Sequence, residues 1–182
     1  MKRNMVVLLA VLVLAGFAVY QNSSANEKES YAQTAAPTET APKPDYLAPG
    51  FTLTGLDGQA YEVGGKRDKP LFLNFWASWC GPCELEAPDL KKMYDKYKDK
   101  FDLYAVNITK NDRLDDAKDF VKQFDFKFPV LLDKDGKVTE MYRFQYIPTS
   151  FLIDRNGVVR EVIHVLEPKE LERKIKKLIE TE

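Results

Sequence analysis

The most constraining feature of this chain is the segment Leu71-Phe72-Leu73-Asn74-Phe75-Trp76, in which Asn74 is the only polar residue. Successive side chains of a strand point to opposite faces, so this strand offers water neither face. It must be covered on both sides, as a central strand is in a sheet with helices packed against it. The flanking patterns agree. Leu85, Met93, Tyr94 and Tyr97 predict one face of a helix after the strand, kinked at Pro88, which removes a backbone donor. Phe101 to Ile108 reads as a second buried strand. Leu114, Ala117, Val121 and Phe124 give a helical stripe that starts near Asn111-Asp112. Val130 to Leu132 is a short extended segment. Thr149–Ile153 and Val158–Val165 flank Asn156-Gly157, a strong hairpin signal, and Phe51–Thr54 and Gln59–Val63 flank Asp57-Gly58 in the same way. A last helix starts at Pro168, with Leu171, Ile175, Leu178 and Ile179 facing inward. The order predicts an α/β fold: a central mixed β-sheet flanked by helices, with an added N-terminal β-hairpin.

Two segments precede this fold. After Met1-Lys2-Arg3-Asn4, an uncharged apolar run extends from Met5 to Tyr20. As a helix it would be roughly 24 Å long at ~1.5 Å per residue, a little short of the ~30 Å bilayer core. Residues 1–21 are therefore expected to be a signal-anchor and single transmembrane segment, with Lys2 and Arg3 inside. The other reading is a signal peptide cleaved near Ser23-Ser24-Ala25. No cysteine follows the run, which argues against a lipoprotein anchor. Residues 22–45 are rich in Ala, Ser, Thr, Glu and Pro and are expected to form a flexible linker. Residues 46–182 are then the folded domain. With 27 basic against 28 acidic residues, the chain carries no sign of a nucleic-acid partner.

Only two cysteines are present, and they form Trp79-Cys80-Gly81-Pro82-Cys83, where the buried strand gives way to a helix. Cysteines three apart in a first helical turn face the same way and can bridge. The unpaired amides and dipole at the helix start favour a thiolate on Cys80. Cys83 lies further in and is expected to be better shielded. Cys80 is thus the expected attacking thiolate and Cys83 the resolving thiol. A zinc site would need further ligands, and one His with no second CxxC does not supply them. A purely structural bridge over so short a loop would restrain the unfolded chain only weakly. No cofactor other than the redox-active Cys80–Cys83 disulfide is expected, and no metal.

The segment from Asn74 to Cys83 resembles the thioredoxin superfamily active site. Ala48-Pro49-Gly50-Phe51, Phe128-Pro129-Val130, Ile147-Pro148-Thr149 and Asp154-Arg155-Asn156-Gly157 are similar to the exported TlpA/ResA-like branch. The resemblance covers nearly all of residues 46–182. It implies a thioredoxin-like fold and a cis bond at Ile147-Pro148 facing the cysteines and lining a substrate groove, with Trp79, Gly81 and Pro82 shaping the site. Three positions depart from the superfamily pattern and are candidate modulators. Asn74 stands where thioredoxins carry a buried Asp, and it cannot take a proton from Cys83. Glu84 follows Cys83, where a basic residue is frequent, and its charge would oppose a thiolate modestly. His164 falls near a position where relatives often carry Gly beside the groove.

The resemblance implies an extracytoplasmic thiol–disulfide oxidoreductase on the bacterial cell membrane. It would reduce disulfides of exported proteins, in cytochrome c maturation or a related envelope or spore process. A membrane thiol carrier of the CcdA/DsbD type would supply its electrons. The Gly-Pro spacer resembles that of thioredoxin, with a potential of about −270 mV, rather than that of an oxidant near −120 mV. Two other readings require motifs that differ from this one. A thiol peroxidase would need a Pro-x-x-x-Thr-x-x-Cys loop before Cys80, and a thioredoxin-like copper carrier would use CxxxC and a His.

Overall fold

The computed structural model describes residues 37–181. The expected anchor and most of the expected linker lie outside them. Among the described residues no helix is long and apolar enough to cross a membrane.

A hairpin of β1 (Phe51–Thr54) and β2 (Ala60–Val63) precedes the buried strand β3 (Leu71–Trp76). Then come α1 (Gly81–Tyr97), β4 (Asp102–Asn107), a 3-10 turn at Thr109–Asn111, α2 (Leu114–Gln123) and β5 (Val130–Leu132). The chain ends with α3 (Lys137–Tyr142), β6 (Thr149–Ile153), β7 (Val159–Ile163) and α4 (Pro168–Glu180). The main sheet has the order β5-β4-β3-β6-β7. β3 runs parallel to β4 and antiparallel to β6, so the sheet is mixed and β3 is its centre.

Alternation along β3 divides the core as the strand geometry requires. Phe72 and Trp76 join a cluster with Leu90 and Met93 of α1, Phe120 of α2 and Ile175 of α4. Leu71, Leu73 and Phe75 join the opposite cluster, with Val138 and Tyr142 of α3. All six side chains of β3 are buried, and each large apolar one contributes roughly 1.5–3 kcal/mol relative to exposure. Asn74 shares the face of Phe72 and Trp76 and therefore points at α1.

Several expectations shift. Leu85 is 75% exposed and lies off the inner face of α1, which is formed by Cys83, Glu86, Ala87, Leu90 and Met93. Pro88 lies inside α1, where the sequence reading placed it, and its missing donor leaves one intrahelical bond unmade. α3 has no counterpart in the sequence reading. It is six residues long, bounded by left-handed Gly136 and Arg143. The buried Asp133 carboxylate holds its start, accepting from Thr139 N at 2.8 Å and Thr139 Oγ1 at 2.6 Å. The described part of the domain also begins before Tyr46. Leu47 N donates to Glu39 O, and Asp45 N donates to Val159 O, so the end of the expected linker lies along the domain.

Candidate active site

β3 ends at Trp76, and Ala77-Ser78-Trp79 carry the chain to the first turn of α1. Cys80 is the N-cap of α1, with extended backbone dihedrals, and its Sγ accepts a hydrogen bond from Cys83 N at 3.2 Å. Pro82 occupies the first turn, where a missing N–H costs nothing because no intrahelical acceptor exists there. The two cysteines are disulfide-bonded, with Cα atoms 5.2 Å apart. Cys80 is 5% and Cys83 4% exposed, so burial does not distinguish them as expected. Position does: Cys80 Sγ caps the helix and lies 3.6 Å from the Ile147 carbonyl oxygen.

Ile147 brings in the second strand of the site. The Ile147–Pro148 peptide is cis, as the resemblance implied, and it immediately precedes β6 beside β3. Thr149 Oγ1 donates to Tyr146 O at 2.7 Å. His164 Nδ1 lies 3.2 Å from both Pro148 O and Thr149 Oγ1, and its ring stacks on Tyr146 with centroids 4.3 Å apart. Pro148 O can only accept, and the Thr149 proton is already engaged. The partners therefore assign the Nδ1–H tautomer and leave Nε2 as the free nitrogen. His164 thus touches the loop rather than the sulfurs. Glu84 is exposed on the outer face of α1.

Asn74 has a partner that the sequence reading missed. Its Nδ2 donates to Glu86 Oε2 at 3.1 Å and to Ser150 Oγ at 2.9 Å. Glu86 is 3% exposed and lies three residues after Cys83, on the same side of α1. Burial pushes its carboxyl up to about 7, against the opposing effect of the Asn74 hydrogen bond. Its Oε1 has no partner. The acid that Asn74 does not provide from the strand thus comes from the helix. Its signal was the spacing Cys83-Glu86-Ala87-Leu90-Met93, hidden when Leu85 was placed on the inner face.

A cleft of about 310 Å³ is lined by Trp79, Ile108, Phe144, Tyr146 and Ile147, and so includes the residue before Cys80 and the one whose carbonyl oxygen lies near Cys80 Sγ. Trp79 is 63% exposed, and its Nε1 donates to Asn111 O at 2.9 Å. Among the described residues no group of His, Cys, Asp and Glu side chains is arranged to hold a metal ion. The chemistry available to this site is that of the sulfur pair: a helix-capping sulfur bonded to a second one, with an acid of near-neutral pKa three residues further on along the buried face of α1.

A mixed sheet of this order, with a CxxC pair at the start of the helix after its central strand and a cis-proline opposite, defines a thioredoxin-fold thiol–disulfide oxidoreductase. Comparison with known proteins narrows the class. The Redoxin family model matches residues 43–179. The thiol-disulfide oxidoreductase ResA of Bacillus thuringiensis subsp. konkukian is 36% identical over 98% of this chain and 99% of its own. The thioredoxin-like protein YneN of Bacillus subtilis is 32% identical over 79% of this chain and 85% of its own. StoA from Bacillus subtilis superposes with a TM-score of 0.61 at 28% identity, covering 69% of this chain and 95% of StoA. The exposed lipoprotein thioredoxin Etrx1 of Streptococcus pneumoniae gives 0.62 at 29% identity, covering 71% and 99%. The chain belongs to the Redoxin family and is a thiol–disulfide oxidoreductase related to ResA.

Proposed function

We propose that the protein works on the outer side of a bacterial cell membrane as a reductant of disulfides in exported proteins. The observation that carries this reading is Cys80 at the helix N-cap, with the Ile147 carbonyl beside its sulfur. In the reduced form the Cys80 thiolate attacks one sulfur of the substrate disulfide, and the other sulfur leaves as a thiolate that takes a proton. Cys83 loses its proton and attacks Cys80 Sγ, and the second substrate thiol is released. Two electrons and two protons pass to the substrate, and the domain ends as the Cys80–Cys83 disulfide. Glu86, buried on the side of Cys83 and poised near 7, is the group placed to take the Cys83 proton.

Membrane attachment rests on the apolar run from Met5 to Tyr20 after Lys2-Arg3. The description of Etrx1 as an exposed lipoprotein is consistent with an extracytoplasmic domain. A reductant in that place needs electrons from inside, which a membrane thiol carrier of the CcdA/DsbD type would deliver. Its substrates would be exported proteins of cytochrome c maturation or of an envelope or spore process.

Replacing Cys83 by Ala in the full chain tests the reading. The variant should accumulate mixed disulfides between Cys80 and exported proteins, and these should disappear when Cys80 is also replaced. Trapping only through Cys83 in the reciprocal variant would reverse the roles. A potential near −120 mV would make the protein an oxidant.

A further inference from the structure

The loop after β4 grips the active-site loop through one carboxylate. Asp112 Oδ2 accepts from Ser78 N at 2.7 Å and from Asn107 Nδ2 at 2.7 Å. Its Oδ1 accepts from Ser78 Oγ at 2.5 Å and from Arg113 N at 2.8 Å. Four donors thus converge on the two oxygens of one carboxyl group, and hydrogen bonds to a carboxylate are about twice as strong as neutral ones. Asn107 is itself oriented, because its Oδ1 accepts from Thr109 Oγ1 at 2.9 Å. The parallel register pairs Trp76 with Asn107, which places both loops at the carboxyl ends of neighbouring strands. Ser78 is followed by Trp79, whose indole is tied to Asn111, the residue before Asp112. Trp79 lines the cleft together with Tyr146 and Ile147, the residue whose carbonyl oxygen lies 3.6 Å from Cys80 Sγ.

We infer that Asp112 is a positioning residue that holds the Trp79 wall of this cleft and thereby favours polypeptide disulfides over small ones. The inference builds on the reductase reading above. A polypeptide must lie across the cleft for its disulfide to reach Cys80, so it depends on where Trp79 stands. A small disulfide reaches the sulfur without that wall. Asp112 touches neither sulfur, so its loss should alter selectivity more than intrinsic reactivity.

The chemistry of the four donors predicts a graded series. In Asp112→Asn the amide can turn its NH2 toward Ser78 Oγ, which can accept, and keep its oxygen on Ser78 N and Asn107 Nδ2. Arg113 N then loses its acceptor, and the Ser78 hydroxyl proton loses the Oδ1 it donated to. Asp112→Ala removes all four bonds, and Ser78→Ala removes one.

The test uses the full-length chain in detergent, pre-reduced, in single turnover against insulin and against oxidised glutathione. Asp112→Ala should lower the rate with insulin by roughly tenfold or more, since a ~1 Å misplacement can cost on the order of 10²-fold. The rate with glutathione disulfide should change by less than about threefold. Asp112→Asn should recover most of the insulin rate. A second readout needs no turnover: hydrogen exchange of the Trp79 indole N–H, which should quicken in Asp112→Ala by roughly tenfold as its protection is lost. Equal losses on both substrates in a folded variant, or unchanged indole exchange, overturn the inference. If Asp112→Ala does not fold, Ser78→Ala carries the comparison, and an insulin-to-glutathione ratio equal to that of the wild type overturns the inference. A wild-type protein inert toward both disulfides would count against the reductase reading and the selectivity, while the indole exchange still judges the clamp.

Discussion

Replacing Glu86 by Gln should change how stability depends on pH. In the oxidised protein the cysteines do not titrate, so they add nothing to the comparison. The Glu86 carboxyl is raised from 4.5 to about 7 because burial disfavours its charged form. Between these two values the folded state binds a proton that the unfolded state has released. Stability contributed at this site therefore falls as pH rises from about 4.5 to 7 and is level above 7. At about 1.4 kcal/mol per pH step, the full penalty is on the order of 3 kcal/mol. Glu86→Gln removes the titration, and the Gln side-chain oxygen can still accept from Asn74 Nδ2. Urea unfolding of both oxidised proteins at pH 4.5, 6 and 7.5 reads the difference. The variant should match the wild type near pH 4.5 and exceed it by up to ~3 kcal/mol at pH 7.5. Glu172 does not intrude, because its ion pairs with Lys96 and Lys176 pull its carboxyl down to about 2, and its contribution is lost only as pH falls below 4.5. Parallel curves for the two proteins, with a constant offset, would refute the buried-acid reasoning.

Three further outcomes are expected. Alkylation of the reduced protein, followed by peptide mapping, should modify Cys80 well before Cys83, because Cys80 caps α1 and takes the amide hydrogen bond; faster labelling of Cys83 would reverse the assignment. Leu90→Ala should cost roughly 2–5 kcal/mol in denaturant unfolding and Leu85→Ala less than about 0.5, since the first is buried and the second lies on the outer face of α1. Gly157→Ala should lose more than about 1 kcal/mol, because Gly157 has φ 80° and an added Cβ would stand 2.5 Å from the Gly65 carbonyl oxygen; an unchanged unfolding midpoint would count against this close approach.

The elements that the sequence alone determined are those in which a short-range pattern reports a physical requirement. A strand with no polar face has to be central, and β3 is. Turn residues that tolerate left-handed backbone mark a hairpin, and Asp57-Gly58 and Asn156-Gly157 each lie between paired antiparallel strands. Two cysteines three apart at a strand-to-helix junction face the same way, and the disulfide is formed. The tertiary structure decided what depends on which elements become neighbours. α3 was not legible because six residues carry too little periodicity, and its start is held by Asp133, outside the helix. Glu86 carries no mark of burial in its own segment, and it is buried because α1 packs that face on Asn74 of β3. Asp112 looked like the start of α2, yet Arg113 is the N-cap and the carboxylate of Asp112 reaches Ser78, 34 residues earlier. Local patterns record what each segment needs from its own backbone. The pKa of a buried acid and the anchoring of a loop depend on groups far apart in the chain, which only the packed sheet brings together.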